Sequence, residues 1–268
     1  MADAPQKGNA SNAGQLYTRY FPRSAENSLK KRNDGNFTIE GFRAVRSVLK
    51  SNLKIVTLIL IESADGTIQD KFLTLEQDAR NRGIEVRHIS ERHSKNYFDS
   101  KNPQGICAVI EQPKDMSLED FFKTSKRILI LDGLNDPGNV GTLVRTASLL
   151  AWDGIIILPN TVSPYQPKAA RASAGAIGFI KVMRASAKEI QRAVHKNGFT
   201  TLRASISKRS KEFEMTEDSK IALILGGEAR GTEADWKDSV DVNISMKNLP
   251  IDSLGVVASG SILLERYK

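Results

Sequence analysis

From residue 127 onward the chain alternates six short β-branched runs, near 127–132, 154–158, 178–183, 199–205, 221–226 and 241–246, with segments of helical spacing between most of them. Strands that alternate with helices predict a mainly parallel sheet covered by helices on both faces. Ligands of such sheets bind beyond the carboxyl ends of the strands. The chain's most marked turns fall at those ends: Asn135 to Asn139 after the first run, "GGEARG" after the fifth and "SMKNLPIDSLG" after the sixth.

The preceding sequence is organised differently. Residues 1–26 are rich in Ala, Asn, Gly and Gln without periodicity and read as an arm. In "NFTIEGFRAVRSVLKS", Phe42, Val45, Val48 and Leu49 recur at helical spacing, and the strand-like "LKIVTLILIES" follows. The same helix-then-strand order returns in "TIQDKFLTLEQDARNRG" and "IEVRHIS", before a last apolar run in "GICAVIEQP". These features predict a compact α/β domain over 27–112, a linker over 113–126 with one short amphipathic helix, and a second domain over 127–268. The mixed-charge stretch 92–105 reads as a solvated loop.

Charge narrows the classes of partner. Against 31 acidic residues stand 39 Lys and Arg, a net +8 that favours a polyanion. The cluster Lys30, Lys31 and Arg32, with Arg43 and Arg46 on the first predicted helix, supplies candidate phosphate contacts. A single cysteine, Cys107, excludes an internal disulfide framework, and His88, His93 and His195 lack zinc-ligand spacing, so no metal is expected. No apolar run reaches the roughly 18 residues of a membrane span, and the start lacks a signal-peptide core. The expected location is cytoplasmic, or organellar if a leader has been trimmed.

The turn in "ILDGLNDPGNVGTLVRTA" has glycines at 138 and 141, which makes neither the dinucleotide fingerprint nor the P-loop. The second predicted strand ends at Asn160, where a dinucleotide site would want an acid for the ribose, which argues against a dehydrogenase. Asn139 could cap the helix and Gly141 could let it pack on the strand. Neither explains Arg145, which on an apolar and small-residue helix must find an anion, either a phosphate or Glu228. In "LILGGEARGTE", Gly226, Gly227 and Gly231 surround Glu228 and Arg230, and suit either a ligand close to the backbone or an ordinary turn with Thr232 as N-cap. The third loop leads into a helix whose first residues, Ser253 to Ser261, are small, as close packing against a ligand or a second chain requires.

The order of these loops is more specific than any one of them. "DPGNVGTLVRTA", "LGGEARG" and "ISM...DSLGVVASGSILLE" resemble the three motifs of the SpoU/TrmH branch of the SPOUT RNA methyltransferases, with "SPYQPKAARASAGAIGFIKV" resembling the segment between the first two. Residues 27–112, with "FTIEGFRAVRSVL", resemble the ribosomal-protein-like RNA-binding domain that many such enzymes carry. The resemblance implies a SPOUT-type α/β catalytic domain with a trefoil knot, preceded by a smaller α/β RNA-binding domain. It further implies S-adenosylmethionine as cofactor, methylation of a ribose 2′-hydroxyl in structured RNA, most naturally ribosomal RNA, and a homodimer. By position, Asn139, Gly141 and Arg145 match the first motif, Gly226, Glu228 and Gly231 the second, and Met246, Ser253 and Leu254 the third. The implied catalytic residues are Arg145, Asn139, Glu228 and Ser253. The implied cofactor-binding residues are Leu225, Gly226, Gly227, Ile244, Met246, Ser253 and Leu254. Arg145 would also engage the RNA; an arginine forks well onto phosphate but is a poor base, so its role is orientation and electrostatic activation.

Three positions depart from the family pattern. Gly227 replaces a usual Asn or Ser, Ser245 a usual Pro, and Gly255 the Asn of Ser-Leu-Asn. A lost amide beside the reacting centre would cost turnover. An RNA-binding or ribosome-assembly protein with little activity is therefore the second reading of the chain.

Overall fold

The computed structural model describes residues 35–114, 116–205, 213–227, 230–244 and 254–268. The first sheet contains β1 (Asn36–Glu40), β2 (Ile55–Glu62), β3 (Glu85–Ser90) and β4 (Ile106–Glu111) in the order β1-β4-β2-β3. β4 runs antiparallel to both β1 and β2, while β2 and β3 are parallel. α1 (Phe42–Val48) leaves β1 through Gly41, whose φ of 97° makes the corner, and α2 (Asp70–Asn81) crosses from β2 to β3.

β1 was not expected. In "NFTIE" the alternation of Phe37 and Ile39 with polar neighbours is only five residues long, and the longer helical period beginning at Phe42 masks it. The stretch 92–105 also departs from a solvated loop. It opens as a 3₁₀ turn (Glu91–Asn96) and then buries Tyr97 and Phe98 against Ile59, Ile89, Cys107 and Val109. Burial, followed by the charges of Glu40 and Asp99, pushes the Cys107 thiol well up.

After α3 (Leu118–Lys123), the second sheet has the order β10-β8-β9-β5-β6-β7 with every pair parallel. Its strands are β5 (Arg127–Asp132), β6 (Gly154–Ile157), β7 (Lys181–Arg184), β8 (Phe199–Ala204), β9 (Lys220–Gly226) and β10 (Val240–Val242). β7 starts later than expected because residues Ala176–Phe179 form a 3₁₀ turn. Its helices are α4 (Pro137–Leu149), α5 (Pro167–Ala172), α6 (Ala187–Lys196) and α7 (Val256–Arg266).

Both faces are covered, as near-continuous apolar strands demand. Ile128, Ile130, Ile156 and Ile224 pack with Phe121, Phe122, Ile190 and Val194 of α3 and α6. Leu129, Leu131, Leu223 and Leu225 point the other way, to Leu143, Val144 and Leu263 of α4 and α7. That second cluster runs on without a break into Phe37, Ile39, Val45 and Val48 beneath the first sheet. No helix among the described residues is long and apolar enough to cross a membrane.

Candidate functional site

The strand ends that build the site are tied together by Asp132, the last residue of β5, which is fully buried. Its carboxylate accepts from Asn160 Nδ2 at 3.0 Å, the Ala234 amide at 3.0 Å and Trp236 Nε1 at 2.9 Å. One side chain thus fixes the loops after β5, β6 and β9. Thr161 supports it by accepting from the Gly133 amide at 2.9 Å while donating to the Leu131 carbonyl at 3.0 Å. Neither Asp132 nor Trp236 stood out in the sequence; the available signal was an acid closing an apolar strand.

α4 begins on this frame. Its N-cap is Asp136, not Asn139: the Asp136 carboxylate accepts from the Gly138 amide at 2.7 Å, and Pro137 takes the first helical position. The same carboxylate accepts from Lys168 Nζ of α5 at 2.8 Å. The Lys168 contact, followed by the Gly138 amide, holds the Asp136 carboxyl below its usual range. Gly141 packs not on a strand but on α5, where a Cβ would strike the Ala169 carbonyl and lie 2.7 Å from Ala172 Cβ. Asn139 is left in the first turn, facing the site.

Beyond the carboxyl ends of β8, β9 and β10 lies a cavity of about 630 Å³, within the range of small-molecule sites. Leu225, Gly226, Gly227, Ile244 and Leu254, all selected from the sequence, line it together, joined by Gly255, Val256 and Ser259 at the start of α7. An adjoining cavity of about 360 Å³ is lined by Asn135, Asp136, Asn139 and Glu233, and shares Gly227, Arg230 and Val256 with the first. The turn after β5 and the loop after β9 therefore face one continuous depression. The outer wall rests on the three-residue β10. An ion pair between Arg203 and Asp241 at 2.7 Å and a bond from Arg266 Nη1 to the Asn243 carbonyl at 3.0 Å hold it. Asp241 keeps the Arg203 guanidinium still further into its charged range.

The glycines of the second loop serve backbone packing. Gly227 and Gly231 exchange amide-to-carbonyl bonds of 2.9 and 2.8 Å, a Cβ on Gly226 would strike the Gly231 backbone, and one on Gly227 would strike the Gly133 carbonyl. No helix begins at Thr232, so its expected capping role falls away. Arg145 also differs from expectation: it is exposed on α4 and lines neither cavity, so no buried anion is required. Glu228, Met246 and Ser253, and the cluster Lys30, Lys31 and Arg32, lie outside the described residues.

Residues 126–265 match the SpoU rRNA methylase family, and residues 38–116 match the RNA 2′-O ribose methyltransferase substrate-binding domain. The chain belongs to the SpoU rRNA methylase family. Among its relatives is the 23S rRNA (guanosine(2553)-2′-O)-methyltransferase RlmP of Bacillus subtilis, 27% identical over 237 residues that cover 88% of this chain and 90% of the relative. The fold is that of solved SpoU structures. AviRb from Streptomyces viridochromogenes, crystallised with AdoMet, gives a TM-score of 0.74 at 19% identity, covering 90% of this chain and 94% of AviRb. An AdoMet-bound rRNA methyltransferase from Sinorhizobium meliloti gives 0.71 at 22%, covering 97% and 95%.

Within this SpoU methylase two departures from the motif pattern acquire geometry. Gly227 lies too close to the Gly133 carbonyl for a side chain in this backbone arrangement. Gly255 is the N-cap of α7 with φ of 75° and ψ of 153°, and among the described residues nothing lies within 4 Å of where its Cβ would be. On the substrate-binding domain, Arg43, Arg46 and Lys50 are exposed at intervals of three and four residues, which makes one basic stripe along and just beyond α1.

Proposed function

We propose that this protein transfers the methyl group of S-adenosylmethionine to a ribose 2′-hydroxyl of structured RNA, with ribosomal RNA as the substrate class. The observation that carries the reading is the convergence of Leu225, Gly226, Gly227, Ile244 and Leu254 on one cavity, with Asn139 opening onto its neighbour. The glycine backbone of residues 226 and 227 and the side chains of Leu225, Ile244 and Leu254 suit an adenine and a sulfonium, and Arg203 and Arg230 stand on the same wall.

The smaller cavity would receive the acceptor ribose, and Asn139, Glu228 and Ser253 would orient it. Positioning is most of the catalytic task, because an in-line approach of hydroxyl to sulfonium methyl replaces a bimolecular encounter. When bound, S-adenosylmethionine would supply the methyl group to the hydroxyl oxygen, its sulfur leaving as the neutral thioether and the hydroxyl proton being released. Arg145 would bind the RNA phosphate and favour the hydroxyl's deprotonation electrostatically.

The working division is an arm over 1–26, an RNA-binding domain over 27–112, a linker over 113–126 and a methylase domain over 127–268. We read the methylase as knotted; α7 follows the edge strand β10 yet packs on α4 and β9 in the middle of the sheet, which supports that chain path. A homodimer would form through α4 and α7, whose exposed Leu149, Ala258 and Ile262 offer apolar surface. Val256 and Leu263 of the same helix are buried in the chain's own core. The cytoplasm is the corresponding site of action.

Titration calorimetry with S-adenosylmethionine and a labelled-methyl assay on ribosomal RNA test the reading. Arg145→Ala is expected to abolish transfer and leave cofactor binding nearly intact. A folded protein that binds RNA but gives no heat with the cofactor, and no transfer, would instead be an assembly factor.

A further inference from the structure

The two sheets are joined by more than the segment that links them in sequence. We infer that residues 171–180 form a positioning clasp that fixes the substrate-binding domain against the methylase sheet, so that RNA held by the first reaches the cavity of the second in one register. The inference rests on the RNA methyltransferase reading.

The clasp begins where α5 ends. Ala174 and Gly175 are consecutive left-handed residues, with φ of 51° and 88°, and turn the chain sharply toward α1. A Cβ on Gly175 would lie 2.7 Å from the Ala44 carbonyl and 2.9 Å from Ser47 Cβ; one on Gly178 would lie 2.7 Å from Ser51 Oγ. Backbone thus meets helix directly, and the helix is the one that carries Arg43 and Arg46. Beside this contact the rings of Phe37 and Tyr165 stand 4.9 Å apart, which adds a second apolar junction between β1 and the segment before α5.

A polar contact completes it. Glu40 is buried at the end of β1 and accepts from the Asp99 amide at 2.6 Å and from Ser100 Oγ at 2.5 Å. Arg171 of α5 reaches this cluster from the other sheet, 3.9 Å from the Glu40 carboxylate and 3.5 Å from Ser100 Oγ. One turn earlier Lys168 of the same helix holds the Asp136 cap of α4, beside Asn139. α5 therefore touches the site turn through one residue and the substrate-binding domain through another. A tethered domain needs none of these contacts, whereas a domain that sets the distance from bound RNA to the methyl group needs all of them.

The test uses the full chain as wild type, Arg171→Ala, Arg171→Lys and Gly178→Val, with methyl transfer to ribosomal RNA and mapping of the modified nucleotides. Arg171→Ala is expected to keep cofactor and RNA affinity within about twofold, since Arg171 lines neither cavity and lies off the basic stripe of α1. It should lower kcat about tenfold through misplacement of the acceptor, and spread methylation to neighbouring nucleotides. Arg171→Lys should recover part of the loss, and Gly178→Val should repeat it more severely. A change confined to KM for RNA, with kcat and target nucleotide unchanged, would reduce Arg171 to an RNA contact and overturn the clasp; so would unaltered kinetics in Arg171→Ala. Should Gly178→Val fail to fold, the arginine variants decide. If wild type transfers no methyl to any RNA, the enzymatic reading has failed and small-angle scattering decides the clasp: equal dimensions for wild type and Arg171→Ala reject it, and an expanded variant supports it.

Discussion

Gly227 and Gly255 look alike as departures from a motif, yet each opposes a side chain for a different physical reason. At 227 an added Cβ meets the Gly133 carbonyl, so Gly227→Asn must displace one of two loops that meet at the site. An overpacked position of this kind is destabilising by about 1–3 kcal/mol, measurable as a lowered urea midpoint. At 255 no described residue would touch a Cβ, and the obstacle is the backbone itself: φ of 75° with ψ of 153° is a conformation that essentially only glycine adopts. Gly255→Asn is expected to cost about 1–3 kcal/mol in backbone strain, seen as a lowered urea midpoint, while placing an amide at the lip of the larger cavity, which raises turnover if that amide limits the wild type. Gly255→Val at the same position should cost stability, because a β-branched residue is a true outlier at that φ. A wild-type urea midpoint in both Gly227→Asn and Gly255→Asn would contradict both arguments.

At the scale of single elements, α4 and α1 make separate predictions. The N-terminus of α4 depends on Asp136, whose carboxyl the Lys168 ammonium and the Gly138 amide hold below its ordinary 3.8. A carboxylate lowered on folding adds stability above its unfolded value and loses that contribution as pH falls through the folded value. The first turn of α4 should therefore be indifferent to pH from neutrality to mild acid and loosen below about pH 4. Hydrogen exchange at the Gly138 and Val140 amides, corrected for intrinsic rates, would show protection falling only in that window, and Asp136→Asn should remove the pH dependence. On α1 the stripe of Arg43 and Arg46 is exposed, as phosphate contacts require. Arg43→Glu with Arg46→Glu should weaken binding to ribosomal RNA and flatten the slope of log K against log salt by roughly one for each lost phosphate contact. An unchanged slope would assign RNA binding to other residues.

For the whole molecule the decisive feature is that the apolar cluster beneath the first sheet continues into one face of the second. Two beads on a linker would unfold separately, whereas two sheets sharing a core should unfold together. Calorimetry of the full chain is expected to give one endotherm whose calorimetric and van't Hoff enthalpies agree; two resolved transitions would deny the shared core an energetic role. Arg171→Ala, by loosening the polar edge of that junction, should broaden the transition without changing cofactor binding.

Much of this protein is legible in its amino-acid sequence. Six apolar runs of strand length at regular spacing fix a parallel sheet because the side-chain period and the crossover requirement are local properties of the chain. Their carboxyl ends then locate the site, and Leu225, Gly226, Gly227, Ile244 and Leu254 do meet there. What the sequence could not state is which groups share space. Asp132 reads as a strand end until Asn160, 28 residues on, and Ala234 and Trp236, 102 and 104 residues on, converge on it. Asn139 reads as a cap until Asp136 takes that place, and Arg145 reads as buried until α4 turns it outward. Gly178 reads as the first residue of a strand until Ser51, just past α1, lies against it, and nothing marks Gly175 until Ala44 and Ser47 of α1 do. Periodicity is written in neighbours along the chain, whereas charge pairing, close backbone approach and the seating of one sheet on another depend on distances that only the folded chain sets.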